Sequence, residues 1–194
     1  MQNIYPEPIG IPGTLVRFSA GSVALTGLPG TGKTTLGYLL CQETGVLVSD
    51  GRLHVTMTDG LMAHPPFNPH FHFGFPPMLP GLIHGEPESI VDQESGKLIT
   101  LVNPDCSDTG LPAKITDLFW LERTGLKQPT ILRASVTELS SLLRQNRYPI
   151  PDQGLEGCRL FRLRIPGDPG AFRKAAKQIG SEMKALHLIQ PTSI

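Results

Sequence analysis

The nine residues from Gly27 to Thr35 read Gly-Leu-Pro-Gly-Thr-Gly-Lys-Thr-Thr and fill the phosphate-binding pattern G-x-x-x-x-G-K-[ST]. This pattern restricts the fold more than any other feature, because it grips an anion only where a buried strand delivers it and a helix carries the chain away. Ser22-Val-Ala-Leu-Thr26 ahead of it suits the strand, and Lys33 to Leu40 behind it suits the helix. Gly27, Gly30 and Gly32 leave main-chain N–H groups free to turn around a phosphate, and the positive end of the helix adds to that field. Leu28, Pro29, Thr31 and Thr35 complete the expected nucleotide cradle, Pro29 removing one donor while stiffening the turn. Lys33 is expected on the β- and γ-phosphates of ATP, and Thr34 is expected to put its hydroxyl on the accompanying Mg²⁺. A glycine-rich turn that merely caps a helix is the plainer alternative; the complete pattern and both flanks speak against it.

A length of 194 residues with 39% hydrophobic content suits one domain, residues 1–194, with a sizeable core. Seventeen basic against seventeen acidic residues leave no net charge, so neither a nucleic-acid footprint nor a membrane-seeking face is indicated, and a small ligand is expected instead. Cys41, Cys106 and Cys158 are widely spaced and form no C-x-x-C pair, which argues against a disulfide framework or zinc ribbon and fits a reducing cytoplasm. The opening residues carry no basic run or apolar segment, and no stretch has bilayer-spanning length, so a cytoplasmic location is expected.

Thr14 to Phe18 alternates in character just ahead of Ser22 to Thr26, which predicts an antiparallel partner for the strand entering the loop. The helix from Thr34 to about Glu43 should stop at Gly45, and Val46-Leu-Val48 should form a short buried strand with Ser49-Asp50 at its tip. Residues 64–81, rich in Pro, Gly, His and Phe, predict a shaped loop near the nucleotide, and Ser89–Val91 with Lys97–Val102 predicts a hairpin. Leu118-Phe-Trp-Leu121 predicts a central strand, and Cys158 to Arg164 a late one. Ser135-Val-Thr-Glu138 is a capping box opening a helix with Leu139, Leu142 and Leu143 inward. Asp168-Pro169 opens another, with Phe172, Ala175, Ala176, Ile179, Met183 and Leu186 as its apolar stripe. The expected class is therefore α/β, a mixed parallel and antiparallel sheet with flanking helices.

A phosphate loop only holds a donor; transfer also needs a carboxylate that organises metal or accepts a proton. Asp50 follows Lys33 by seventeen residues, enough to climb one helix, turn at Gly45 and return to the same end of the sheet. Its plainer reading is a turn residue, since Asp-Gly is a common turn pair.

The lead-in from Thr14 to Thr26, the loop Gly27 to Thr34, the strand Val46 to Asp50 and Arg52 together resemble the catalytic domain of HPr serine kinase/phosphorylase and its small relatives. The Lys33-to-Asp50 interval is similar to theirs, and Leu118–Arg123 and Arg159–Leu163 are similar to later strands of the compact members. The resemblance implies a P-loop kinase core like the C-terminal domain of that family and ATP- and Mg²⁺-dependent phosphorylation of a serine hydroxyl. It also implies Asp50 as proton acceptor and metal-organising carboxylate, and Lys33 on the donor phosphates. Two departures are visible: Asp50-Gly51 stands where the family usually has adjacent aspartates, and Pro12-Gly13-Thr14 where bifunctional members have a histidine. No phosphorylase activity is expected. The expected acceptor is a hydroxyl on a protein, peptide or small molecule, with its selection expected to lie in the 64–81 loop and in neighbouring subunits of a homo-oligomer.

His64, His70, His72 and His84 fall in one segment, but lack a second ligand pair at firm spacing and read better as hydrogen-bonding imidazoles than as a zinc site. Arg52 and Arg123 are candidates to neutralise the transferring phosphoryl group, each with a solvated surface arginine as its plainer reading; Asp117 precedes the apolar strand and fits a metal site poorly. The runner-up is a small-molecule kinase of the adenylylsulfate or gluconate kinase kind, to which Val46–Leu53 is also similar; a paired lead-in strand disfavours it. A module that captures nucleotide without chemistry is the third reading. No Asn-Lys-x-Asp segment or transporter signature supports a GTPase or a transport ATPase.

Overall fold

The computed structural model describes residues 7–43, 45–57, 60–74, 88–91, 98–102, 110–148 and 150–185. Strands β1 (Ile9–Phe18) and β2 (Gly21–Gly27) form the expected antiparallel hairpin, with Phe18 opposite Gly21 and Gly13 opposite Thr26. Helix α1 (Lys33–Glu43) leaves the loop that follows β2, and β3 (Val46–Thr56) pairs antiparallel with the other edge of β1. One expectation is corrected here: Asp50 stands mid-strand rather than at a strand tip, because β3 is eleven residues long in all and carries on extended through Leu53 and Val55, paired with β1.

Short β4 (Met62–His64) joins β3 to β8 (Ala113–Thr124), the central strand anticipated around Leu118–Leu121 but twelve residues long. Strand β10 (Arg159–Pro166) lies parallel to β8, with β9 (Thr130–Arg133), not anticipated, antiparallel on its far edge. The large sheet has the order β2-β1-β3-β4-β8-β10-β9, and because β2 also pairs in parallel with β8, the first five strands close a circuit. Helices α2 (Val136–Gln145), the single-turn α3 (Asp152–Leu155, also not anticipated) and α4 (Pro169–Ala185) complete the α/β arrangement.

Two apolar layers hold these elements. Leu36 and Leu40 of α1 and Phe172 and Ile179 of α4 pack with Leu25, Phe119, Phe161 and Leu163, whose two phenyl rings stack at 4.6 Å. Leu139 and Leu143 of α2 join Leu15, Leu53, Val55, Leu118 and Trp120 in the second layer. Each such side chain contributes about 1.5–3 kcal/mol on burial, which sets the helices firmly on the sheet. Both anticipated caps form: Ser135 Oγ accepts from Glu138 N at 3.1 Å, and Asp168 Oδ1 accepts from Ala171 N at 2.7 Å. The Glu138 carboxylate reaches across to Arg162, which also grips Glu122 through Nε and Nη2 at 3.0 and 2.9 Å and so ties α2 to β10. On α4, Phe172 and Ile179 face inward as expected; the side chains of Ala175, Ala176, Met183 and Leu186 lie outside the described residues.

A second sheet has the order β5-β7-β6, from β5 (Phe71–Gly74), β6 (Glu88–Val91) and β7 (Leu98–Val102). The expected hairpin is its β6–β7 pair, whose turn lies outside the described residues. Part of the segment expected to be a loop, 64–81, is thus a strand: Phe71 and Phe73 meet Tyr38 of α1 edge-on at 5.3 and 5.7 Å, and aromatic packing overrides the local proline and glycine content. Residues 75–81 lie outside the described ones.

Candidate active site

The turn after β2 takes the conformations its glycines allow, with φ of +142° at Gly27, +77° at Gly30 and +95° at Gly32. Gly27 has a second reason to lack a side chain, since a Cβ there would lie 2.6 Å from the Leu121 carbonyl oxygen on β8. Thr31 closes the turn, its Oγ1 donating to the Leu28 carbonyl at 2.8 Å, while Leu28, Pro29 and Gly30 stay exposed at its rim. Lys33 curls back over it, Nζ donating to the carbonyls of Gly27 at 3.0 Å and Leu28 at 2.8 Å. Burial lowers the Lys33 pKa, and the negative charge of Asp50 opposes that shift. Thr34 and Thr35, both half-buried, follow in the first turn of α1.

Asp50 is 1% exposed and lies beside that first turn. Thr34 Oγ1 donates to its two oxygens at 3.2 and 3.1 Å, Thr14 Oγ1 donates to Oδ1, and His72 N donates to Oδ2 at 3.0 Å. Burial raises the Asp50 pKa, and the donors from Thr14, His72 and Thr34 act against it. The strand register explains the convergence: Thr14 on β1 is directly opposite Asp50 on β3, and α1 packs across both. Gly37 permits that close packing, because a Cβ on it would lie 2.4 Å from Thr14 Cγ2.

Gly37→Ala is therefore expected to push α1 off β1. The helix-propensity gain of about 1 kcal/mol is outweighed by an overpacking cost of about 1–3 kcal/mol, and the Thr34–Asp50 contact lengthens. Denaturant unfolding should show a net loss of stability; a gain would mean that α1 is not seated on Thr14 in this way.

The Asp50-Gly51 pair is not a turn. Gly51 has φ +101°, yet the β1–β3 ladder continues through Gly13–Gly51 and Pro12–Arg52. A second aspartate in place of Gly51 would be strained by that backbone, so the departure from the adjacent-aspartate pattern is built into the strand.

Residues 64–74, the described part of the 64–81 segment, lie against the candidate site. Asp50 N donates to the Asn68 carbonyl at 3.0 Å, Asn68 N donates to Ser49 Oγ at 3.0 Å, and Asn68 Nδ2 donates to His72 Nε2 at 2.9 Å. Thr14, Ser49 and Asn68 were not anticipated. Thr14 lies thirty-six residues from Asp50, and no local pattern signals a contact across that separation.

His64 Nε2 lies 2.7 Å from Thr56 Oγ1, and His84 is outside the described residues; among the described residues no cluster of three or more metal-ligating side chains occurs. Asp117 is buried within β8 and paired with Arg159 at 2.6 Å, a structural ion pair. Cys158 donates to the Ile115 carbonyl at 3.1 Å, burial pushes its pKa up to about 11, and it reads as an inert thiol. Cys106 lies outside the described residues.

Arg123 is more than a surface cation. Its Nη1 donates to the carbonyls of Pro166 and Gly167 at 2.8 and 3.2 Å, and its guanidinium lies 4.8 Å from the centre of the Phe172 ring. A Cβ on Gly32 would come within 3.0 Å of that ring and 3.5 Å of the guanidinium, so both flank the phosphate loop. A cavity of about 820 Å³ opens between residues 124–129 and the face of α4 that carries Ala171, Lys174 and Gln178. A second cavity, of about 730 Å³, has Asp50 in its wall together with Arg52, His54, Asn68, His72 and Tyr148. Arg52 thus faces this cavity, while Arg123 stands at the loop.

No family model and no curated protein match the chain. Among solved structures it is similar to the Hpr(Ser) kinase/phosphatase from Coxiella burnetii, at 12% sequence identity and a TM-score of 0.48, over 92% of this chain and 90% of that one. A likeness this distant carries no weight in the functional reading, which rests on the geometry of the chain itself. Among the described residues, no helix is long and apolar enough to cross a membrane.

Proposed function

We propose that the chain binds ATP with Mg²⁺ and transfers the γ-phosphoryl group to a hydroxyl acceptor. The observation that carries this reading is the meeting of Thr34, at the phosphate loop, with the buried carboxylate of Asp50. A carboxylate held out of water costs stability, and such groups concentrate at functional sites.

The residues present fit the group. The Thr34 hydroxyl and the Asp50 carboxylate are hard oxygen donors of the kind Mg²⁺ takes, and the positive-φ glycines leave backbone N–H groups for phosphate. Bound there, Mg²⁺ would neutralise charge on the β- and γ-phosphate oxygens. Lys33 would exchange its contacts with the Gly27 and Leu28 carbonyls for phosphate oxygens. Arg123 would face charge accumulating at the loop, and the cavity beside residues 124–129 has room for the base and ribose. The acceptor oxygen would bond to the γ-phosphorus as the bond to the β–γ bridging oxygen breaks. ADP leaves, and the hydroxyl proton passes to the Asp50 carboxylate.

The reading takes residues 1–194 as one kinase domain. Capture of nucleotide without transfer is the second reading, favoured by the Gly51 backbone, which disfavours a second carboxylate. Mg²⁺·ATP at about one hundred times its Kd should stabilise the protein by about 2.7 kcal/mol, and γ-labelled ATP should pass label to an acceptor in a lysate. Stabilisation without label leaving ATP would select the capture reading, and no stabilisation would dismiss both.

A further inference from the structure

The cavity beside Asp50 has a one-sided construction that the strand register explains. Alternate residues of a strand share a face, so Asp50, Arg52 and His54 point the same way from β3. Opposite them on β1 stand Thr14, Pro12 and Gly10, in the pairs Thr14–Asp50, Pro12–Arg52 and Gly10–His54. The β1 side is small where the β3 side is long: a Cβ on Gly10 would lie 2.3 Å from Arg52 Nε, so the guanidinium lies flat across β1 at that glycine. The result is a trough with a carboxylate at the phosphate-loop end and a guanidinium two repeats along, level with the Gly10–His54 pair. Phe67, Asn68, His72 and Tyr148 also line it.

Charge decides what such a trough accepts. Among the described lining residues Arg52 is the guanidinium and Asp50 the lone carboxylate, and Asn68, His54, His72 and Tyr148 supply further hydrogen-bonding groups. A volume of about 730 Å³ is that of a site enclosing a whole small molecule. The Gly10–His54 pair, where the guanidinium lies, is four residues along the ladder from the Thr14–Asp50 pair, roughly 13 Å, so a ligand spanning Asp50 and the guanidinium has its two polar ends about six bonds apart.

We infer that the trough binds a small anionic alcohol, with its carboxylate or phosphate on Arg52 and its hydroxyl beside Asp50, and that this molecule is the phosphoryl acceptor. The inference rests on the phosphate loop being an ATP site. The hydroxyl oxygen bonds to the γ-phosphorus, the bond from that phosphorus to the bridging oxygen breaks, and the proton goes to Asp50; the products are a phosphate monoester and ADP.

The test uses the full chain with three probes: glycerate, glycerol 3-phosphate and uncharged glycerol. Direct binding without nucleotide is followed on the Arg52 Nε–H and His54 ring NMR signals, transfer is followed from γ-labelled ATP, and ATP affinity is measured separately. At least one anionic probe should bind at least about tenfold more tightly than glycerol and accept label in preference to it. Arg52→Gln should abolish that preference with ATP affinity unchanged, and Arg52→Lys should restore part of it. Equal binding of the three probes, no binding of any, a preference surviving in Arg52→Gln, or label appearing only on protein would overturn the inference. Loss of ATP binding in the unmodified chain would instead count against the kinase reading, while the binding arm still judges the trough.

Discussion

Asp50→Asn is expected to cut phosphoryl transfer by about 10²-fold or more while leaving nucleotide affinity largely intact and making the nucleotide-free protein more stable. The carboxylate is buried, and burial outweighs the donors from Thr14, His72 and Thr34 in setting its pKa, which is raised. Asparagine keeps the shape. Its oxygen can accept from His72 N, and the Thr14 and Thr34 hydroxyls can turn to accept from its amide. The substitution therefore removes a buried charge without emptying the site, and the expected gain is about 0.5–2 kcal/mol, the usual range where function is exchanged for stability.

The sign of the pH dependence follows. An acid whose folded pKa exceeds its unfolded one makes the native state bind more protons between the two values, so stability falls as pH rises through that window. The cost is complete above the folded pKa and absent below the unfolded one. Urea unfolding should show Asp50→Asn ahead of the unmodified chain at about pH 8, with the gap closing towards about pH 4. A variant that is less stable at the higher pH would show that the donors, not burial, dominate at Asp50. Full activity in the variant would return Asp50 to a purely structural role.

Lys33→Ala is expected to abolish transfer and to weaken ATP binding by at least about tenfold, because the ammonium that would meet the β- and γ-phosphates is gone. The Gly27 and Leu28 carbonyls lose their Nζ donor in the same change, so some loosening of the loop is expected as well. Lys33→Met separates the effects, since it keeps the length and apolar stem of the side chain without the charge. Both variants should lose affinity for ATP alike, as read by calorimetry. Affinity unchanged in both would remove the phosphate loop from the mechanism.

Much of this arrangement was legible in the order of residues, for reasons that are local. The glycine spacing of the loop, the Ser135 and Asp168 caps and the apolar run at Leu118–Leu121 each act through neighbours within a few positions, and the elements they announce are present. The Asp50-Gly51 pair was half legible. It signals a residue with positive φ, which is found, but that freedom is used inside a strand held on both sides by β1 and β4 rather than in a turn.

What the residue order settles is the loop, with its lysine and threonine, because a phosphate cradle is made from one contiguous stretch of backbone. It could not say that β1 would lie between β2 and β3, that Thr14 would face Asp50, or that Arg52 and His54 would line a cavity with Tyr148. Those facts arise from pairings between strands far apart in the chain, where the winning register is the one that buries Leu15, Leu53 and Val55 together. Burial of the whole core, a property of no single segment, chooses which polar groups meet.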